Sequence, residues 1–210
     1  MKALLFFIMM AILSFSCNNG TNPGKMAELT DTATLTPKVS ATGRIPVAEI
    51  REYKMHSGKS VQVEITHPVG MSLSNIIVGF TGDSSSNLTL KDVDPVNKIL
   101  VADLDGNGFD EIYIITTAAG SGSYGNVYGF ASNGDKSFSF VYLPEITAAD
   151  LDTGGKFEGY EGHDEFEIAG KSLLRTFPVK IGNKSRMTIT YKMKAGEAGY
   201  LFYITAANAY

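Results

Sequence analysis

The chain reads as an all-β protein, an antiparallel β-sandwich of about eight or more strands in a single domain, and three observations predict it. From Pro46 onward, short apolar or alternating runs are broken by Gly, Asn, Asp and Ser every eight to twelve residues or so, the rhythm of strands and turns in a sandwich or barrel. Val, Ile, Thr, Tyr and Phe populate those runs, as a pleated, half-buried surface favours. Apolar residues at helical spacing are nearly absent.

Taken in order, strands are expected at VAEIREYKM (47–55), SVQVEITHP (60–68), LSNIIVGFT (73–81), KILVADL (98–104) and EIYIITTAA (111–119). They continue at VYGFAS (127–132), SFSFVYLP (137–144), DEFEIAG (164–170), SLLRTFPVKI (172–181), SRMTITYKM (185–193) and GYLFYITAA (199–207). Between them, His56-Ser57-Gly58, Asn133-Gly134-Asp135, Ala169-Gly170-Lys171 and Gly182-Asn183-Lys184 can each supply the positive φ of a tight hairpin. The sheets are therefore expected to be antiparallel. No internal repeat points to a multi-blade propeller.

The N-terminal segment sets the expected compartment. Lys2, an apolar run of about 13 residues, small Ser16 and the only cysteine, Cys17, read as a secretory signal, because a membrane span needs roughly 20 apolar residues. The placement of Cys17 resembles a bacterial lipoprotein signal, so residues 1–16 are expected to be removed and Cys17 lipidated. Residues 17–45, rich in Thr, Ala, Gly, Pro and Asn, read as a flexible tether, and residues 46–210 as the folded domain. About 165 residues suffice to bury roughly 70% of the unfolded surface. A lone cysteine leaves no intrachain disulfide. The expected location is the periplasm or cell envelope, on the outer membrane through the lipid anchor. Net charge is −4 and no basic cluster is longer than two residues, so a nucleic-acid footprint is excluded.

The segment AAGSGSYGNV (118–127) spells G-x-G-x-x-G, the pattern of a nucleotide-phosphate loop. That chemistry requires the glycine turn to open a helix whose N–H groups hold the phosphate. Here NVYGFASNGD follows, which reads as a strand and a turn. A kinase reading also needs a lysine strand, H-R-D and D-F-G, none of which occurs. No G-x-S-x-G nucleophile elbow aligns on Ser121 or Ser123, and His56, His67 and His163 lack metal spacing. No catalytic constellation emerges, and the protein is not expected to be an enzyme. What remains is a glycine-flanked projection carrying Ser121, Ser123 and Tyr124, where a tyrosine adds contact area at low entropic cost.

Just upstream, DLDGNGFDEI (103–112) places oxygen ligands at Asp103, Asp105, Asn107 and Glu111, with the carbonyl of Phe109 between them. Hard cations such as calcium want six to eight oxygens, and this spacing aims several at one point. The segment resembles the calcium loops of integrin-type propeller repeats and departs from the EF-hand, whose twelfth position here is Ile114. No cofactor is required. A bound calcium ion is expected to be structural, fixing the hairpin that carries the glycine loop.

The ordered strings ADLDGNGFDEIYIITTAAGSGSYGNVYGF, FVYLP, GYEGHDEF, LLRTFPV and YKMKAGEAGY, spanning about residues 101–200, resemble the periplasmic inhibitors of i-type (invertebrate) lysozyme. The resemblance implies a homodimeric β-sandwich that blocks lysozyme by inserting a loop into its active-site cleft. In that family the inserted element is S-G-x-Y, which maps onto Ser121, Gly122, Ser123 and Tyr124. A lysozyme cleft presents a general-acid carboxyl and a second carboxylate, which hydroxyl groups of Ser121 and Tyr124 could meet. GHDEF offers no catalytic pair, because adjacent Asp164 and Glu165 point to opposite faces of a strand. It reads as a loop end and strand start, with His163 hydrogen-bonding across the sandwich. The competing reading is a calcium-stabilised envelope module that binds glycan or protein.

Overall fold

Strands β1 (Val47–Lys54), β2 (Ser60–His67), β3 (Ser74–Phe80) and β4 (Asp83–Val93) follow one another as an antiparallel four-stranded meander. The computed structural model describes residues 47–210, so the expected signal, lipidated Cys17 and tether lie outside the described residues. Strand β4 was not among the expected runs. Its opening, DSSSN, has turn composition, yet the chain reverses at Gly82 (φ +83°) and Ser86 is buried, its hydroxyl accepting the Phe80 N–H at 2.9 Å. Pairing with β3 overrides local propensity there.

A second meander contains β5 (Val96–Ala102), β6 (Glu111–Thr117), β7 (Gly125–Ser132) and β8 (Phe138–Tyr142). One helical turn, α1 (Ala148–Leu151), follows, opened by a capping box between Thr147 and Asp150. A third meander contains β9 (Glu165–Ala169), β10 (Ser172–Ile181), β11 (Lys184–Ala195) and β12 (Tyr200–Ala209). The last two meanders join into one eight-stranded sheet, ordered β5-β6-β7-β8-β12-β11-β10-β9. Their junction corrects the all-antiparallel expectation: β8 and β12 pair in parallel, Val141 opposite Tyr200. The expected turns hold, with positive φ at Gly58, Gly134, Gly170 and Gly182.

The result is a β-sandwich with two cores. One lies between the four-stranded sheet and the outer wall of β6 to β8, where Val61, Val63, Ile76 and Val78 meet Ile112, Ile114 and Phe130. The other lies inside the curl of the eight-stranded sheet, which brings Tyr113, Leu173, Phe177, Ile189, Tyr191 and Phe202 together. Strand β6 belongs to both. Its burial is continuous from Glu111 to Thr116, because alternate side chains enter different cores. That explains why residues 112–115, IYII, are apolar without alternation. At one end, the His56 N–H donates to the Asp110 carboxylate and Lys59 Nζ donates to the Asp135 carbonyl at 2.5 Å, tying the two sheets together.

Gly129 on β7 is flanked across the sheet by Tyr113 and Val141. A Cβ there would lie 2.6 Å from the Val141 Cβ and 3.1 Å from the Tyr113 ring. Gly129→Ala is expected to destabilise the fold by about 1–3 kcal/mol through overpacking, seen as a lower urea midpoint with unchanged slope.

Candidate functional site

Strands β6 and β7 pair in register up to Thr117 opposite Gly125, so the residues between them form the projecting tip of a hairpin. The Ala118 N–H donates to the Tyr124 carbonyl at 2.8 Å and the Ser123 N–H to the Gly120 carbonyl at 3.0 Å, closing the loop on itself. Ser123 has φ +43°, a left-handed backbone that costs a non-glycine residue on the order of 1–2 kcal/mol. Ser121 is exposed, Ser123 is half-buried, and Tyr124 is 52% exposed with its ring folded over Gly122.

The tip is held from behind by the GHDEF segment. The His163 N–H donates to the Gly122 carbonyl at 2.8 Å, and the Gly125 N–H donates to Asp164 Oδ2 at 2.7 Å. Gly162 has φ +88°, and a Cβ on it would strike the Gly122 carbonyl oxygen, so only glycine fits. His163 has φ +58° and an exposed side chain, and its bond to Gly122 is a backbone contact between two loops of the eight-stranded sheet rather than the expected bond across the sandwich. Asp164 and Glu165 do diverge: Asp164 is buried, whereas Glu165 pairs with Arg186 outside.

Asp164 is anchored by Arg175 on β10. The guanidinium donates from Nε to Oδ1 at 2.6 Å and from Nη2 to Oδ2 at 3.0 Å, with side chains 4% and 0% exposed. The Tyr160 hydroxyl donates to Oδ2 at 2.6 Å and accepts from Arg175 Nη2 at 2.6 Å. Burial raises the Tyr160 phenol above its usual range, which keeps it a donor. The rings of Phe157, Tyr160 and Phe166 surround the guanidinium at 5.4, 5.0 and 5.4 Å. Tyr160 then passes this order outward, its ring meeting that of Tyr124 edge-on at 5.8 Å.

Sequence reasoning placed Ser121, Gly122, Ser123 and Tyr124 at the tip but missed Arg175, Tyr160 and Phe157 behind it. A signal existed. Arg175 shares the inward parity of Leu173, Phe177 and Val179 on an alternating strand, and a charge there demands a buried partner.

At the opposite end of β6 lies the acidic loop. Asp103 accepts N–H groups of Gly106 at 2.6 Å, Asn107 at 3.1 Å and Gly108 at 3.0 Å. Asp105 accepts the N–H of Asn107 at 2.9 Å, and Asn107 Oδ1 accepts the N–H of Phe109 at 2.7 Å. Carboxylate oxygens of Asp103, Asp105 and Glu111 lie within 4.8 Å of one another. Glu111 is 0% exposed, and its Oε2 accepts the Leu104 N–H at 2.7 Å and the Tyr113 hydroxyl at 3.1 Å. Burial, reinforced by the charges of Asp105 and Asp103, pushes the Glu111 carboxyl up to about 8.

No family model, curated protein or solved structure matches the chain. No helix among the described residues is long and apolar enough to cross a membrane.

Proposed function

We propose that the protein inhibits a lysozyme, of the i-type first, by inserting the loop of Ser121, Gly122, Ser123 and Tyr124 into the active-site cleft. The observation that carries this reading is the backing of that loop by Gly162, His163 and Asp164. Two strings that suggested the resemblance separately are one unit in space, joined by the bonds from His163 to Gly122 and from Gly125 to Asp164. A loop closed on itself and fastened to a buried ion pair loses little freedom on binding, which favours affinity. The hydroxyls of Ser121 and Tyr124 stand at the exposed tip, suited to the two carboxyl groups of a glycosidase cleft. In this reading the protein is a homodimeric envelope lipoprotein, tethered through Cys17, that protects bacterial peptidoglycan.

The test is peptidoglycan lysis by i-type, c-type and g-type lysozymes, each titrated with the folded protein. Inhibition of the i-type enzyme at stoichiometric ratios is expected. Failure to inhibit any of the three would overturn the proposal and favour the glycan- or protein-binding module, whose signature is direct sugar or adhesin binding.

A further inference from the structure

Glu111 is an ionisable side chain in an unusual position. It enters the inner core beside Tyr113, fully buried, and while its Oε2 accepts two hydrogen bonds, its Oε1 has no hydrogen-bond partner among the described residues. A buried carboxylate oxygen without a partner carries a desolvation penalty that a native fold ordinarily relieves. The carboxylate faces Asp103 and Asp105, whose oxygens share a sphere with it. Three carboxylates converge there, and none forms an ion pair: among the described residues, ion pairs involve only Arg51, Arg175 and Arg186. Lys171, in the β9–β10 turn, packs its ammonium against Gly106 on the loop backbone.

We propose that Asp103, Asp105 and Glu111, completed by oxygens of the 105–109 turn, bind one calcium ion. Every side-chain ligand is a carboxylate, which selects a hard cation over zinc or copper. The three carboxylate oxygens lie within 4.8 Å of one another, close enough for one cation to bridge them, and the flexible coordination of calcium suits an irregular turn better than the near-ideal octahedron magnesium demands. The turn already folds around this point, because Asp103 gathers three backbone N–H groups that hold its carboxylate inward. The Asn107 amide oxygen accepts the N–H of Phe109 and its amide nitrogen donates to Asp105 Oδ2 at 3.0 Å, which keeps this side chain beside the carboxylates.

The ion supplies the missing partner of Glu111, and its two positive charges offset the carboxylates that converge on it. It sits at the start of β6, whose seven residues carry the chain to the glycine loop about 20 Å away. Its role is therefore to lock the entry of the strand shared by both cores, separate from the tip that would meet a partner. Its test does not depend on lysozyme inhibition.

Calorimetric titration of the whole chelator-stripped chain with calcium chloride is expected to show one ion per chain. The melting midpoint is expected to rise on the order of 5–10 °C at calcium about 100-fold above Kd. Glu111→Gln should weaken binding at least tenfold. Because Glu111 also accepts the Leu104 N–H, Asp105→Asn, at a partly exposed position, serves as a second variant with the same expected loss. Absence of binding heat with an unmoved midpoint at millimolar calcium, tighter binding of magnesium than calcium, or full affinity retained in a folded Asp105→Asn chain would each overturn the assignment.

Discussion

Replacing Arg175 with methionine is expected to destabilise the fold by about 3–5 kcal/mol, the largest single effect anticipated for this protein. The guanidinium is the charge partner of a fully buried carboxylate, and its removal leaves Asp164 ionised in an aromatic shell of Phe157, Phe166 and Tyr160. Two features make the loss severe. The pair is bidentate, and Asp164 also holds the Gly125 N–H, so its displacement unfastens the glycine loop. Denaturant unfolding monitored by tyrosine fluorescence measures the cost. The double replacement Asp164→Leu with Arg175→Met is expected to recover much of the stability, because it removes both buried charges together. It should not restore loop order, because no acceptor remains for the Gly125 N–H. A single variant as stable as the parent would show that the pair is dispensable to the fold.

Ser121→Ala combined with Tyr124→Phe is expected to abolish useful inhibition while leaving the melting temperature nearly unchanged. Each hydroxyl, once desolvated against a cleft carboxyl, should contribute about 1–3 kcal/mol to binding, or roughly 5- to 150-fold in the inhibition constant. The fold should not notice. Ser121 is exposed, and phenylalanine keeps the ring that meets Tyr160 edge-on at 5.8 Å, so the stability change should stay within about 0.5 kcal/mol. Inhibition kinetics beside a thermal melt separate the two effects. Unaltered inhibition by the double variant would remove the tip hydroxyls from the mechanism, whereas a parallel fall in stability would mean that they act in the fold.

The two variants probe different layers of one structure. Arg175 acts through Asp164 and Gly125 on the backbone of the loop, and Ser121 and Tyr124 act at its surface. Loss of inhibition in the Asp164→Leu, Arg175→Met protein, with stability largely recovered, is expected if loop order rather than overall stability governs binding.

Much of the fold was legible in the amino-acid order alone. Alternating runs at 47–55, 60–68, 172–181 and 185–193 became β1, β2, β10 and β11 within a residue or two, because one face of each had to be buried and the period of two says which. Glycines in the expected turns took positive φ, as local sterics require. Strand β4 was not legible, since Ser84, Ser85 and Ser86 favour turns until β3 offers them a ladder. The parallel junction of β8 and β12 was equally hidden. It joins segments about 60 residues apart, and no local pattern encodes which edges meet.

The same division runs through the candidate site. Sequence by itself determined the loop, its glycines and its exposed hydroxyls, because glycines and serines between two strand-forming runs mark a turn and no helix follows it. Only the tertiary structure decided that the loop is backed by Gly162, His163 and Asp164, and that Arg175 secures them from the core. Likewise, sequence supplied the acidic spacing of residues 103–111, but burial of Glu111 with an unpaired oxygen followed from the curl of the eight-stranded sheet. The physical reason is common to both cases. Backbone conformation and periodicity are short-range properties written residue by residue, whereas the partner of a buried charge is set by which distant strands close on one another.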